Sequence, residues 1–234
     1  MMQDDFPIYT VQRTAVAPCG DGQWDGTIWS AADTLEVSRF HPLGSGHRPL
    51  TEAKMLYDAR CVYGLFRVQD QYVVCRHAQF QSPVCQDSCV EFFVRPKPDK
   101  GYLNFEMNCG GCLLASYIED WTRLRDPEQP DREFADYVRL PEEAGGQVRV
   151  FASMTGPLEA EIAQEAAWHV EFHIPLSVLE QHVGPLGDPR GQEWRANFYK
   201  CADRSSHPHW GAWSPPGEEL NFHNPDRFGV IRFG

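Results

Sequence analysis

The chain has 234 residues, of which 33 are Asp or Glu and 21 are Lys or Arg, for a formal net charge of −12 at pH 7. This balance argues against nucleic acid or an anionic membrane as partner, because both require a basic footprint; it suits a neutral ligand or a divalent cation. Hydrophobic residues at 42% and charged residues at 23% are ordinary for a soluble globular protein. Surface scaling buries roughly 70% of the unfolded area, enough for one domain over residues 1–234 without staples. No apolar run approaches the ~18 residues of a membrane-spanning helix. The N-terminal MMQDDFPIYTVQ is acidic and lacks the basic and apolar regions of a secretory signal. Eight Cys in a chain of this length are not a disulfide-dense pattern. We therefore expect reduced thiols and a cytoplasmic setting.

In chain order, PIYTVQRTAVA (7–17) reads as a first strand and CGDGQWD (19–25) as turns. LEVSRF (35–40) precedes the Gly/Pro loop HPLGSGHRP (41–49). TEAKMLY (51–57) and CVYGLFRVQD (61–70) read as strands joined by a tight turn at Asp58-Ala59-Arg60. In QDSCVEFFV (86–94), Val90, Phe92 and Val94 share one face, leaving Cys89, Glu91 and Phe93 opposite. YLNFEMNC and CLLASYI flank Gly110-Gly111, the composition of a two-residue primed turn. Leu103, Phe105, Met107 and Cys109 form one face of that hairpin. Tyr102, Asn104, Glu106 and Asn108 form the other, and so polar a face implies water or a ligand.

EDWTRLRDPEQPDREFAD (119–136) is expected to be a long surface loop, able to serve as a lid. Residues 137–154 read as two strands across Gly145-Gly146. WHVEFHI (168–174) alternates, with Trp168, Val170, Phe172 and Ile174 inward and His169, Glu171 and His173 outward. Pro175 followed by LSVLEQHVG predicts one short helix. RFGVIRF closes the chain. About twelve strands with no βαβ alternation predict an all-β fold. The specific expectation is an antiparallel β-sandwich, jelly-roll or immunoglobulin-like, with its first and last strands paired.

WRANFYKCADRSSHPHWGAWSP (194–215) is the densest stretch of aromatic and polar groups. Trp194, Ala196 and Phe198 fit a core; Arg195, Asn197 and Tyr199 fall on the opposite face. A metal-assisted hydrolase would draw on His207 and His209, with Asp203 and His223 completing the ligands. Cys85, Cys89, Cys109 and Cys112 could form a thiolate zinc site or be ordinary buried thiols. Glu91 and Glu106, on neighbouring strands, could act as a carboxylate pair or simply line a wet face. No nucleophile elbow or phosphate loop is present. Sugar recognition needs an aromatic plate and planar hydrogen-bonding groups on a rigid scaffold. Trp210 or Trp213 with Glu91, Glu106, Asn108, Asn197, Tyr199, Lys200 and His209 supplies that set. A protein-interaction face around Trp121 and Trp210 is the remaining alternative.

QDSC-VEFFV, YLNFEMNCGG, WHVEFHIP, WRANFYKCAD, HPHWGAWSP and NFHNPDRFGVIRF run in this order from about residue 50 to the end. Together they resemble the family 9 carbohydrate-binding module superfamily, specifically its stand-alone family-9-like group. The resemblance implies a β-sandwich, non-catalytic carbohydrate binding and, often, structural calcium. In the xylanase-attached modules two Trp sandwich a terminal sugar. Trp213 matches one of them, and Cys85 stands where the other should fall. Glu91 matches the acidic ligand contact and Asn108 ends the strand carrying others. Glu106 stands where those modules place an Arg.

Overall fold

A computed structural model describes residues 6–124 and 133–234. Within them run β1 (Ile8–Arg13), β2 (Leu35–Glu36), β3 (Arg39–Phe40), β4 (Leu50–Tyr57), β5 (Cys61–Asp70), β6 (Cys89–Arg95), β7 (Tyr102–Asn108), β8 (Leu113–Arg123) and β9 (Phe134–Arg139). There follow α1 (Glu142–Gly145), β10 (Arg149–Ala152), β11 (Ala166–Pro175), α2 (Leu176–Val183), β12 (Glu193–Cys201), β13 (Trp210–Ala212) and β14 (Gly229–Phe233). The fold is all-β, as expected. The strands form one curled sheet in the order β10-β11-β5-β4-β1-β14-β12-β6-β7-β8-β9, with β2 beside β4 and β13 linking β12 to β3.

The sheet is mixed, not purely antiparallel. Its first and last strands do pair, but in parallel: Ile8–Val11 lie beside Val230–Phe233. The next two residues of β1, Gln12 and Arg13, pair in parallel with Leu56 and Tyr57 of β4. One short strand therefore carries the hydrogen-bonded ladder from one half of the sheet to the other. The two halves meet in the main hydrophobic cluster, where Phe92 stacks on Phe172 at 5.4 Å and Phe66 meets Phe198 at 6.0 Å. The inward residues of β6, β7, β11 and β12 are those chosen by period-two alternation: Val90, Phe92, Leu103, Phe105, Val170, Phe172, Ala196 and Phe198 are all fully buried.

Three local expectations change. The 119–136 segment is mostly hairpin, with β8 reaching Arg123 and β9 starting at Phe134; the lid expected there falls on residues 125–132, outside the described residues. Gly145 and Gly146 lie at the end of the added helix α1, not between two strands. The connection of β7 to β8 is longer than a two-residue turn. It is shaped by Asn108, whose Oδ1 accepts from the Gly110 and Cys112 amides at 3.2 and 2.9 Å. Gly111 takes φ +85° there, a conformation that favours glycine.

A buried polar network ties the two halves together. Lys200 has the same parity on β12 as Phe198, so it points into the interior and reaches Asp70 at the end of β5, 3.4 Å away. Both side chains are fully buried. Asp70 also accepts from His47 Nε2 at 2.8 Å and Trp168 Nε1 at 3.2 Å. Lys200 donates to His209 Nε2 at 2.8 Å and to the Cys201 carbonyl at 3.0 Å. Burial alone would raise the Asp70 pKa, but Lys200 and the His47 hydrogen bond outweigh it and hold the carboxyl well below its usual range. Burial, with the adjacent Lys200 charge, lowers His209 to about 3, so it is a neutral acceptor.

Removing one partner of such a pair leaves an uncompensated buried charge. Lys200→Met should cost about 3–5 kcal/mol in chemical denaturation, and Asp70→Asn in the same chain should recover part of that loss. A single variant as stable as wild type would contradict the assignment. Trp213 lies in the same core, its indole 5.6 Å from the Phe198 ring and packed so closely on Gly229 that a Cβ there would approach it to 2.4 Å. Trp213→Ala should therefore lower stability by about 3–5 kcal/mol, read as a drop in thermal midpoint.

Candidate functional site

The outer face of the half-sheet β12-β6-β7-β8 is not solvated. Residues opposite to the core alternate across it in register: Cys201 opposite Cys89, Tyr199 opposite Glu91, Glu91 opposite Glu106, and Asn104 opposite Ser116. Glu91, Asn104, Glu106 and Cys201 form the floor of a cavity of about 360 Å³. Its walls come from Pro83 and Cys85 before β6, Asp203 after β12, Trp210 at the start of β13, and Leu220–His223. Arg123, Glu133, Phe134, Tyr137 and Arg139 of the β8–β9 hairpin close the far side.

The electrostatics of this floor are unusual. Glu91 and Glu106 are both buried, and directly opposed carboxylates repel. Desolvation, then the charge of Glu106, raises Glu91 well above the normal carboxylate range. Desolvation also lifts Glu106, against the Asn104 hydrogen bond, to about 7. Asn104 Nδ2 donates to Glu106 Oε1 at 2.7 Å, while Asn104 Oδ1 is buried with no partner among the described residues. The Cys201 thiol donates to Glu91 Oε1 at 3.1 Å. On the wall, Trp210 Nε1 donates to Asp203 Oδ1 at 2.7 Å, which fixes the indole orientation.

The fold brings some of the expected residues together and disperses others. Glu91, Glu106 and Trp210 line the cavity, with Cys85 beside them. Trp213 does not: three residues beyond Trp210 and past the β13 strand, it turns into the core. Lys200 and His209 belong to the buried network with Asp70. Asn108 is spent on its own turn and on Asp87, to whose Oδ2 it donates at 2.9 Å. Asn197 and Tyr199 act from behind. Asn197 Oδ1 accepts from the Ser214 amide at 2.9 Å and its Nδ2 donates to the Ser214 carbonyl at 3.0 Å. Tyr199 donates to the Phe222 carbonyl at 2.9 Å and stacks on the Phe222 ring at 4.0 Å. Both hold the 214–223 wall in place.

Other expectations are corrected. The hydrolase set does not assemble: His207 stacks on Tyr72 at 3.6 Å, His223 is bonded to Tyr102 at 2.7 Å, and His209 faces Lys200. The four-Cys zinc set is divided, because Cys109 faces the core and the Cys112 thiol donates to the Gln79 carbonyl at 2.9 Å. Trp121 is half-buried, with Arg95 over its ring at 5.2 Å, and so presents no open apolar patch. Calcium takes six to eight oxygens. Two of the buried carboxylates are already engaged by backbone amides. Asp87 accepts from the Arg76 and His77 amides, and Glu171 from the Gly20 and Gly22 amides. Alternation on β7 already pointed to Asn104, and continuing the β12 parity past Tyr199 reaches Cys201. Phe222 and Arg139 carry no periodic signal, since connections and hairpin closure place them.

No curated protein matches the chain in sequence. Three of the similar solved structures match over nearly the whole chain. A Bacteroides uniformis protein named for carbohydrate binding is 26% identical, covers 98% of this chain and 100% of its own, and superposes with TM-score 0.82. A family 9 carbohydrate-binding module of Caldicellulosiruptor kristjanssonii, in complex with glucose, is 15% identical over 97% of this chain and 96% of its own, with TM-score 0.63. The same kind of module from that organism in complex with cellotriose gives 16%, 97%, 93% and 0.62. The description of carbohydrate-binding family 9 matches residues 32–233, most of the chain. The chain belongs to carbohydrate-binding family 9.

Proposed function

We propose that the cavity over β6, β7 and β12 is the carbohydrate site of this non-catalytic binding protein, and that it takes a mono- or short oligosaccharide. Asn104 carries the reading. A buried acceptor with no partner costs about 1–3 kcal/mol, and this one sits on the cavity floor beside Glu106. A sugar hydroxyl is the donor it lacks. Trp210 supplies the aromatic plate, and Glu91 and Glu106 supply paired acceptors for vicinal hydroxyls. The volume, about 360 Å³, is at the lower end of small-molecule sites. With a Cys at position 85 in place of a second Trp, the clamp is one-sided, and Phe134, Tyr137 and Phe222 add further aromatic walls. The facing halves of the curled sheet we read as a β-sandwich, jelly-roll or immunoglobulin-like, whose rigidity pre-organises the floor.

Two measurements test the site. Trp210→Ala should stay folded and lose about tenfold in affinity for glucose or cellotriose by calorimetry; unchanged affinity would remove Trp210 from the site. The second concerns pH. A hydroxyl donating to Glu106 favours its ionised form, so binding releases a proton and affinity rises as pH passes upward through about 7. Glu106→Gln should flatten that dependence. A wild-type affinity that falls with pH over the same range would contradict the proposed contact.

A further inference from the structure

The cavity floor carries a second arrangement, which sugar binding does not require. Cys89 and Cys201 are register partners on β6 and β12, and Glu91 lies two residues beyond Cys89 on the same face. Among the described residues these three form the one group of His, Cys, Asp or Glu side chains with metal-ligand spacing. Their ligand atoms all lie within 4.8 Å of one another, and all three residues are buried. A tetrahedral zinc ion with Zn–S of ~2.3 Å and Zn–O of ~2.1 Å holds its ligand atoms roughly 3.5–3.8 Å apart. The trio is therefore near coordination spacing before any ion arrives. We propose that Cys89, Glu91 and Cys201 bind a thiophilic divalent cation, zinc fitting best, reached through the cavity that Glu91 and Cys201 line.

The chemistry of the donors selects the ion. Two thiolates and one carboxylate are a soft set that prefers zinc to calcium or magnesium. Without a cation the surroundings favour the protonated form of each. Burial raises Cys89 to about 12, the Cys89 hydrogen bond and burial raise Cys201, and burial raises Glu91. A 2+ ion replacing three protons leaves three ligand charges of −1 against +2, a net −1. Lys200 favours the ionised forms of Glu91 and Cys89 only as a minor influence, since its ammonium is paired with Asp70 on the other face of β12. A fourth ligand is open to water, a ligand hydroxyl or the neighbouring Cys85, which lines the same cavity. Because protons must leave, binding must strengthen as pH rises.

The test is a titration of the whole reduced protein with Co²⁺, in a phosphine reductant and with no sugar present, so that its outcome is separate from that of the sugar-binding measurements. One equivalent should bind with sulfur-to-cobalt charge-transfer absorption, be displaced by zinc, and bind more tightly at higher pH. Cys201→Ser and Glu91→Gln, checked for folding by circular dichroism, should each weaken binding at least tenfold. Cys19→Ser and Cys61→Ser, remote from the trio, should leave it unchanged. A wild-type protein with no charge-transfer band overturns the site. So does a band that survives in folded Cys201→Ser and Glu91→Gln proteins.

Discussion

The register of β12 is the constraint on which the molecule depends. A one-residue slip would turn Trp194, Ala196 and Phe198 outward and send Asn197, Tyr199 and Cys201 into the core. Three partners oppose that slip: β6 along one edge, and β14 then β13 along the other. Lys200 adds a fourth restraint, because only this register lets its ammonium reach Asp70 across the core. A buried pair of this kind is a poor source of net stability, but breaking it is costly. Its placement suits a specificity role, joining the end of β5 to the end of β12 where the two halves of the sheet meet.

With the register set, each face of the half-sheet acquires its own chemistry. The inner face is aromatic and aliphatic and holds Trp213. The outer face gathers Glu91, Asn104, Glu106 and Cys201, and is walled by connections instead of being left to water. Asn197 and Tyr199, also on that face, act as struts to the 214–223 segment. The same layout recurs on the other half-sheet. There the outward Glu171 is fully buried beneath the N-terminal segment, accepting from the Gly20 and Gly22 amides and from His173 at 2.7 Å. Outward parity in this protein therefore means covered and hydrogen-bonded more often than wet.

That explains what the sequence could and could not reveal. Alternation was sufficient for the core faces of β6, β7, β11 and β12, and it separated Glu91, Asn104 and Glu106 from that core. It could not tell a cavity floor from a strut, because both require polar side chains on the outer face; hence Asn197 and Tyr199 looked like ligand contacts. The role of Lys200 is hidden for the opposite reason. Its parity was that of Phe198, but a charge on a core face looks misplaced until Asp70 appears from a strand 130 residues earlier. Trp213 and Trp210 differ by three positions across an extended strand. Matching by local motif chose the one that packs on Gly229 over the one that lines the cavity. The parallel pairing of β1 was invisible because nothing local marks which edge a strand joins.

We propose that ligand recognition belongs to the outer floor and Trp210, while Trp213 is core. The most direct measurement is a ¹H–¹⁵N titration with glucose and cellotriose, following the seven indole N–H signals assigned by single Trp→Phe variants. The Trp210 signal should move with the Asn104 side-chain amide, while those of Trp213 and Trp194 stay fixed. Movement of Trp213 with a stationary Trp210 would contradict the account.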